Sequence, residues 1–232
     1  MTAGSLLMAC GGLLAAYLLG AVPFGYLAGR LRGIDIRTVG SGNIGATNVG
    51  RALGRPLGVA VFLLDTAKGY AAAGPLAWMV LDLGSLPADG LLRSCLGPLY
   101  ALAVCAGHVW PVFLGWRGGR GVATAAGVLL ALAPIPAVTG LVTWAALVAV
   151  FRYVSLASMI AAVVTAGLCV GLAAWKEKLT ETWPTWCLTA ALAVLIVIRH
   201  RANVGRLLRG QEPKIGRKPS APAQQENAAS GS

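Results

Sequence analysis

The sequence predicts an all-α integral membrane protein: a seven-helix bundle with five full spans and a short broken helical hairpin. Three observations point there. Hydrophobic residues make up 57% of the 232 residues and charged residues only 12%, where a soluble globule carries about 25% charge. Mean hydropathy is +0.73, and the apolar residues fall in runs long enough to cross about 30 Å of hydrocarbon. The basic residues, 19 Lys and Arg against 8 Asp and Glu, lie mostly between those runs. Too few polar residues remain to cover a water-facing surface, so lipid is the solvent that the composition fits. One membrane domain over residues 1–210 and a tail over 211–232 are expected.

The first run, Ser5 to Gly29, is longer than the apolar part of a signal peptide. No basic stretch precedes it, and Arg30 and Arg32 follow, so a retained span fits better. The second, Pro56 to Val80, opens on a proline, whose missing N–H is not needed in a first helical turn. The third is Leu96 to Leu114. Val122 to Val150 carries Ala133-Pro134-Ile135-Pro136 at its centre. Proline removes a donor and clashes with the preceding turn, so a hairpin of two helices of about a dozen residues is expected, each too short to span at ~1.5 Å per residue. A sixth run covers Val154 to Trp175. The seventh, Trp183 to Ile198, is short but carries Trp183 and Trp186 where an interfacial belt would lie. The tail from Gln211 is rich in Pro, Ala, Gln and Ser and is expected to be disordered.

Charge sets the orientation. Arg30, Arg32, Arg37, Arg51 and Arg55 separate the first two runs, and Arg117 and Arg120 follow the third. Arg152 follows the hairpin, and Arg199, Arg201, Arg206, Arg209, Lys214, Arg217 and Lys218 follow the last run. The other side receives Arg93, Lys176 and Lys178, the last two offset by Glu177 and Glu181. The positive-inside rule makes the rich side cytoplasmic, with the N-terminus outside and the C-terminus inside. The basic surplus thus reads as topology and as a site for an anionic substrate, with no nucleic-acid partner. Cys10, Cys95, Cys105, Cys169 and Cys187 lie in or beside apolar stretches without CxxC spacing and read as small apolar residues, not as a metal site or disulfide framework.

Four segments carry candidate chemistry. The first is Ser41-Gly42-Asn43-Ile44-Gly45-Ala46-Thr47-Asn48-Val49-Gly50-Arg51. Its glycines let backbone N–H groups converge on an anion, and Arg51 adds a bidentate phosphate contact. Gly45 to Ala52 nearly matches a nucleotide-binding GxxxxGK[ST] loop, but Arg51 stands for the Lys and Ala52 for the metal-binding hydroxyl. The second runs from Gly107-His108-Val109-Trp110-Pro111 through Arg117-Gly118-Gly119-Arg120-Gly121 to Thr124, and brings two guanidinium groups and free amides to a helix start. The third, Arg152 to Ser158, sets Ser155 and Ser158 one turn apart. In the fourth, Arg199 to Glu212, His200 and Asn203 share a face at i, i+3 if helical, with Arg206 next along it. Asp65 and Lys68 share a face of the second run, either as a functional pair or as one that neutralises itself. Neither histidine begins an HxxxxD motif, because Phe113 and Gly205 take the acid's place. That argues against thioester-dependent glycerolipid acyltransferases. GxSxG and HExxH are also absent.

With these segments in this order, the chain resembles the bacterial acyl-phosphate:glycerol-3-phosphate acyltransferases (PlsY type) from about residue 15 to 215. It departs from the family's usual Phe-Lys-Gly-Gly-Lys-Gly, reading Trp116-Arg117-Gly118-Gly119-Arg120-Gly121. Charge is kept, but a point-charge ammonium becomes a planar fork. The resemblance implies a seven-helix fold with a cytoplasmic active site in the bacterial plasma (inner) membrane. The implied reaction is acyl transfer from acyl phosphate to the 1-hydroxyl of glycerol 3-phosphate, giving lysophosphatidic acid and phosphate. Phosphate is a competent leaving group, so no cofactor, metal or covalent intermediate is demanded. The implied catalytic residues are His200, Asn203 and Ser41, with His200 as the protein's best general base unless a substrate phosphate takes the proton. Arg51, Arg120, Arg117, Thr47, Asn43, Gly118 and Gly119 would bind phosphate, and His108, Ser155, Asn48 and Glu212 would support them. Implied partners are glycerol 3-phosphate, acyl phosphate, membrane lipid and a soluble acyl-phosphate-forming enzyme. The rival readings are an organic-phosphate transporter, which needs a polar path through the midplane where only Asp65 and Lys68 stand out, and a lipid-binding scaffold.

Overall fold

The computed structural model describes residues 3–84 and 90–216, and every regular element among them is helical. The chain starts with α1 (Ala3–Ala21) and α2 (Phe24–Leu31), separated at Val22–Pro23, where proline cannot continue the hydrogen-bond ladder. After a loop with a short 3-10 turn come α3 (Ala46–Leu53) and α4 (Arg55–Ala71). A π-helical turn at Ala72–Leu76 accommodates Pro75 and carries the helix into α5 (Ala77–Leu83). Then follow α6 (Leu91–Val109), α7 (Val122–Leu132), α8 (Pro134–Phe151), α9 (Val154–Trp175), α10 (Trp183–Arg199) and α11 (Arg201–Leu208). Four stretches are long and apolar enough to cross a membrane: Ala3–Leu31, Leu91–Leu114, Pro134–Phe151 and Val154–Trp175. A fifth arises if α10 and α11, bent by 55°, form one span. The multi-pass all-helical class is thus present.

The hairpin expectation is corrected. The hairpin halves are unequal: α7 has 11 residues, but α8 has 18 and is long enough to cross. Pro134 and Pro136 do not shorten α8. They lie in its first turn, where backbone donors have no helical acceptor anyway, so they start the helix after a one-residue break at Ala133.

Helices approach closely through glycine. A Cβ on Gly69 of α4 would collide with the Thr124 carbonyl of α7, and one on Gly127 of α7 would collide with the Thr66 carbonyl of α4. Where lipid supplies no hydrophobic drive between helices, such contacts and buried polar bonds hold the bundle. The Tyr100 hydroxyl, fully buried, donates to the Ala9 carbonyl at 2.9 Å and ties α6 to α1. Asp65 and Lys68 of α4 are buried against each other at 2.8 Å, and Lys68 Nζ also donates to the Val22 carbonyl at 3.0 Å, at the break between α1 and α2. The pair is neutralised internally.

The chain is also ordered past Gln211, where a disordered tail was expected to begin. Residues 211–216 fold back along the bundle with Glu212 buried, because the polar side chains of Arg51, Arg152 and Ser155 hold them there. The rest of the expected tail, 217–232, lies outside the described residues.

Candidate active site

All four candidate segments meet at one end of the bundle. The Glu212 carboxylate is its hub. Ser155 Oγ, at the start of α9, donates to Oε1 at 2.7 Å; Asn203 Nδ2, on α11, donates to the same oxygen at 2.6 Å; Arg206 Nε donates to Oε2 at 2.8 Å. Partial burial opposes the charge on Glu212, but these hydrogen bonds and the Arg206 charge hold its pKa below the usual 4.5. Asn203 is 3% exposed, and its Oδ1 is a buried acceptor without a hydrogen-bond partner. An unpaired buried acceptor costs stability, so Oδ1 has capacity to accept a further hydrogen bond.

His200 sits between α10 and α11. Its Nδ1 lies 2.7 Å from the Ile196 carbonyl, which fixes the proton on Nδ1 and leaves Nε2 an acceptor. Burial, with help from Arg120, lowers its pKa from 6.5 to about 4. His200 is therefore neutral at physiological pH and a weak base. Arg51 and Arg120 also feel the Glu212 charge. Burial lowers both, yet a guanidinium remains charged. Arg51 Nη2 donates to the Pro213 carbonyl at 3.1 Å.

The first segment positions Arg51 by a buried amide. Asn48 Nδ2 donates to the Val39 and Ile36 carbonyls at 3.0 and 3.2 Å, and its Oδ1 accepts from the Ser41 amide at 3.0 Å. Gly40 has φ +60, and a Cβ there would crowd Asn48 Oδ1, so glycine is required at this turn. Asn43 Oδ1 accepts from the Gly45 amide at 3.3 Å, opening α3. Thr47 lies one turn before Arg51 on the same face of that helix. The Ser41 side chain is exposed on the loop.

In the second segment the glycines do a different job from the one expected. The Gly118 and Gly119 amides are not free for phosphate: they donate to the Val109 and His108 carbonyls at 3.1 and 3.0 Å. Both glycines are instead required by close approach, since a Cβ on Gly118 would meet the His108 carbonyl and one on Gly119 the His108 ring. The amides of Val122 to Thr124, in the first turn of α7, offer the helix N-terminus in their place. Arg120 is partly buried, whereas Arg117 is exposed.

Three further contacts were not expected. Arg199 Nη2 donates to the Gly119 carbonyl at 3.0 Å across 80 residues of sequence, for which the sequence carries no signal. Arg206 completes the Glu212 hub; its spacing from Asn203 was the available clue. Arg152, in left-handed conformation at the end of α8, clamps Ile215 from both sides: its carbonyl accepts from the Ile215 amide at 2.8 Å, and its guanidinium donates to the Ile215 carbonyl at 2.9 and 3.1 Å.

Among the described residues no group of three or more His, Cys, Asp or Glu side chains has the arrangement of a metal site. What the cluster offers is an array of guanidinium groups, a helix start, a neutral imidazole and an unfilled amide acceptor. It suits binding and orienting a phosphorylated polyol beside the lipid.

The chain is similar to known proteins over most of its length. A family model described as glycerol-3-phosphate acyltransferase matches residues 10–210. Proteins named glycerol-3-phosphate acyltransferase from Desulforamulus reducens and Aquifex aeolicus are 41% and 40% identical, covering 89% and 86% of this chain and 94% and 95% of theirs. The crystal structure of PlsY (YgiH), an integral membrane glycerol 3-phosphate acyltransferase, in its glycerol 3-phosphate form superposes with a TM-score of 0.77 at 39% identity, covering 90% of this chain and 96% of that one. Its lysophosphatidic acid form gives 0.75 at 38% identity, covering 90% and 95%.

Proposed function

The chain belongs to the glycerol-3-phosphate acyltransferase family, and from that premise we propose that it takes its acyl group from an acyl phosphate. Transfer to the 1-hydroxyl of glycerol 3-phosphate gives lysophosphatidic acid and phosphate. The observation that carries this reading is the assembly of Arg51, Arg120, His200 and Asn203 around one carboxylate at the end of an apolar bundle. Two phosphorylated substrates need several cations in one place, and a lipid tail needs an adjoining apolar wall.

Arg51 and Arg120, with Ser41, Thr47 and the first amides of α7, hold phosphate oxygens. Asn203 Oδ1 accepts from a glycerol hydroxyl, and His200 Nε2 orients the attacking one. That hydroxyl oxygen adds to the acyl carbonyl carbon, the guanidinium groups stabilise the tetrahedral oxyanion, and the bond from carbon to phosphate oxygen breaks with its electron pair leaving on phosphate. His200, with a pKa of about 4, is a poorer proton acceptor than a phosphate oxygen, which titrates at about 6 in monoesters. The hydroxyl proton therefore leaves on the released phosphate, and His200 binds without serving as the base.

The charge distribution supports an N-terminus outside and a site and C-terminus facing the cytoplasm, and the relatives in Desulforamulus reducens and Aquifex aeolicus support a bacterial inner-membrane location. A soluble acyl-phosphate-forming enzyme would deliver the donor there. The test is incubation of the purified protein with glycerol 3-phosphate and either acyl phosphate or acyl-CoA. Lysophosphatidate from acyl phosphate alone is the expected result; equal product from acyl-CoA overturns the donor.

A further inference from the structure

The mechanism leaves one group of buried ionisable side chains unused. Asp65 lies ten residues along α4 from Arg55, about 15 Å at the ideal rise. Lys68 Nζ and His108 Nδ1 both approach its Oδ1, at 2.8 and 3.5 Å, and all three side chains are at most 5% exposed. A well-packed apolar pair would hold a bundle as firmly as a buried ion pair, and charges at this depth are retained for function by default.

The far side of the group points to that function. His108 presents Nδ1 to Asp65, while its Nε2 abuts Gly119, so the imidazole fills the space between the carboxylate and the Arg117–Arg120 loop. The His108 carbonyl accepts from the Gly119 amide at 3.0 Å. The same residue thus meets the loop by backbone and by ring. Lys68 neutralises Asp65 and bonds the Val22 carbonyl at 3.0 Å, anchoring the group to the first span.

We propose that Asp65, Lys68 and His108 form a positioning relay that sets the height and orientation of the Arg117–Arg120 loop and thereby aims Arg120 at substrate phosphate. It rests on the reading of Arg120 as a phosphate-binding residue. The relay touches no substrate. Its removal therefore weakens glycerol 3-phosphate use through Arg120 alone.

The test is a double-mutant cycle in the purified enzyme, because only coupled residues give non-additive effects. His108→Leu and the charge-free pair Asp65→Asn/Lys68→Met are each measured alone and with Arg120→Ala, following KM for glycerol 3-phosphate, kcat and melting temperature. Each relay variant alone is expected to lower kcat/KM about 10- to 100-fold, the range for misplacing a binding group by about 1 Å. In the Arg120→Ala background the same changes should add less than about twofold. His108→Asn, which keeps a donor near the Nδ1 position, should recover much of the loss. Multiplicative effects, or losses that track melting temperature without a change in KM, overturn the relay, as does failure of both relay variants and of His108→Asn to fold. A silent Arg120→Ala is a separate outcome: it refutes the phosphate assignment and removes the relay's target with it.

Discussion

The two ends of the bundle are built differently. At the end holding Glu212, bonds join segments far apart in sequence: Arg51 to Pro213, Ser155 to Glu212, Arg199 to Gly119, Arg152 to Ile215. At the other end, among the described residues, they are mostly local: Lys178 to Glu181 at 3.1 Å, Trp186 to the Leu179 carbonyl at 3.0 Å, Thr182 to the Lys178 carbonyl at 2.8 Å. The long reach from Ser5 to the Gly84 carbonyl at 2.9 Å merely closes α1 on α5. Local bonds suffice to turn a chain at the membrane surface. Fixing four loops relative to one another is what orienting two substrates requires.

The largest expected effects lie at the first end. Arg51→Ala and Arg120→Ala should each lower kcat/KM on the order of 100-fold, as loss of a charge-assisted bond of about 3 kcal/mol implies. Lys178→Ala at the other end should leave activity at wild type. Near-normal turnover in both arginine variants, with folding intact, would break the contrast. Gly119→Ala should come next, with a loss of more than about tenfold, because the new methyl meets the His108 ring and displaces the loop. Asn203→Ala should cost roughly tenfold, since one donor to Glu212 and the unfilled acceptor disappear together; an unchanged KM for glycerol 3-phosphate would remove Asn203 from the substrate.

Stability sharpens the same contrast through pH. The folded pKa of Glu212 lies below its ordinary 4.5. Its ionised form therefore stabilises the fold fully above about 4.5, and that contribution fades as pH falls through the lower folded value. Glu212→Gln should melt below wild type at pH 7, with the gap narrowing as pH falls below 4.5. Glu181→Gln, exposed and paired only locally, should show no gap at either pH. A constant gap for Glu212→Gln across the range would mean that packing, not charge, holds residues 211–216 in place.

Much of this architecture was legible in the sequence. The multi-pass class and the polar end follow from apolar length and arginine placement, since the lipid constrains both, but the set of spans does not: α8 is long enough to cross, while the second apolar run, broken into α4, a π-turn and α5, is not among the four to five candidate spans. The four segments stand out as a candidate site because Asn, Ser, His and paired Arg have little reason to cluster between apolar runs, and the fold brings them together. Three features were illegible for physical reasons. A proline at a helix start and one that ends a helix look alike in sequence, so the 18-residue length of α8 does not follow from Pro134 and Pro136. Residues 211–216 have a disordered composition, yet Glu212 is buried by partners contributed from 57 and 9 residues away. The glycine pair looked like a phosphate cradle because free and occupied amides are spelled the same way.

Arg117 and Arg120 test that last point at its smallest scale. In sequence they are equivalent, two cations flanking two glycines. In the fold Arg120 enters the cluster and feels Glu212, whereas Arg117 stays exposed, next to Trp116 in left-handed conformation with φ 65. An exposed cation in water contributes about 0–1 kcal/mol to a nearby charge, and salt screens it further. Arg117→Ala should therefore change kcat/KM less than about threefold, with the difference disappearing in 0.5 M salt, while the Arg120→Ala defect persists there. Equal and salt-resistant losses in the two variants would mean that the loop moves on binding substrate and brings both guanidinium groups onto phosphate.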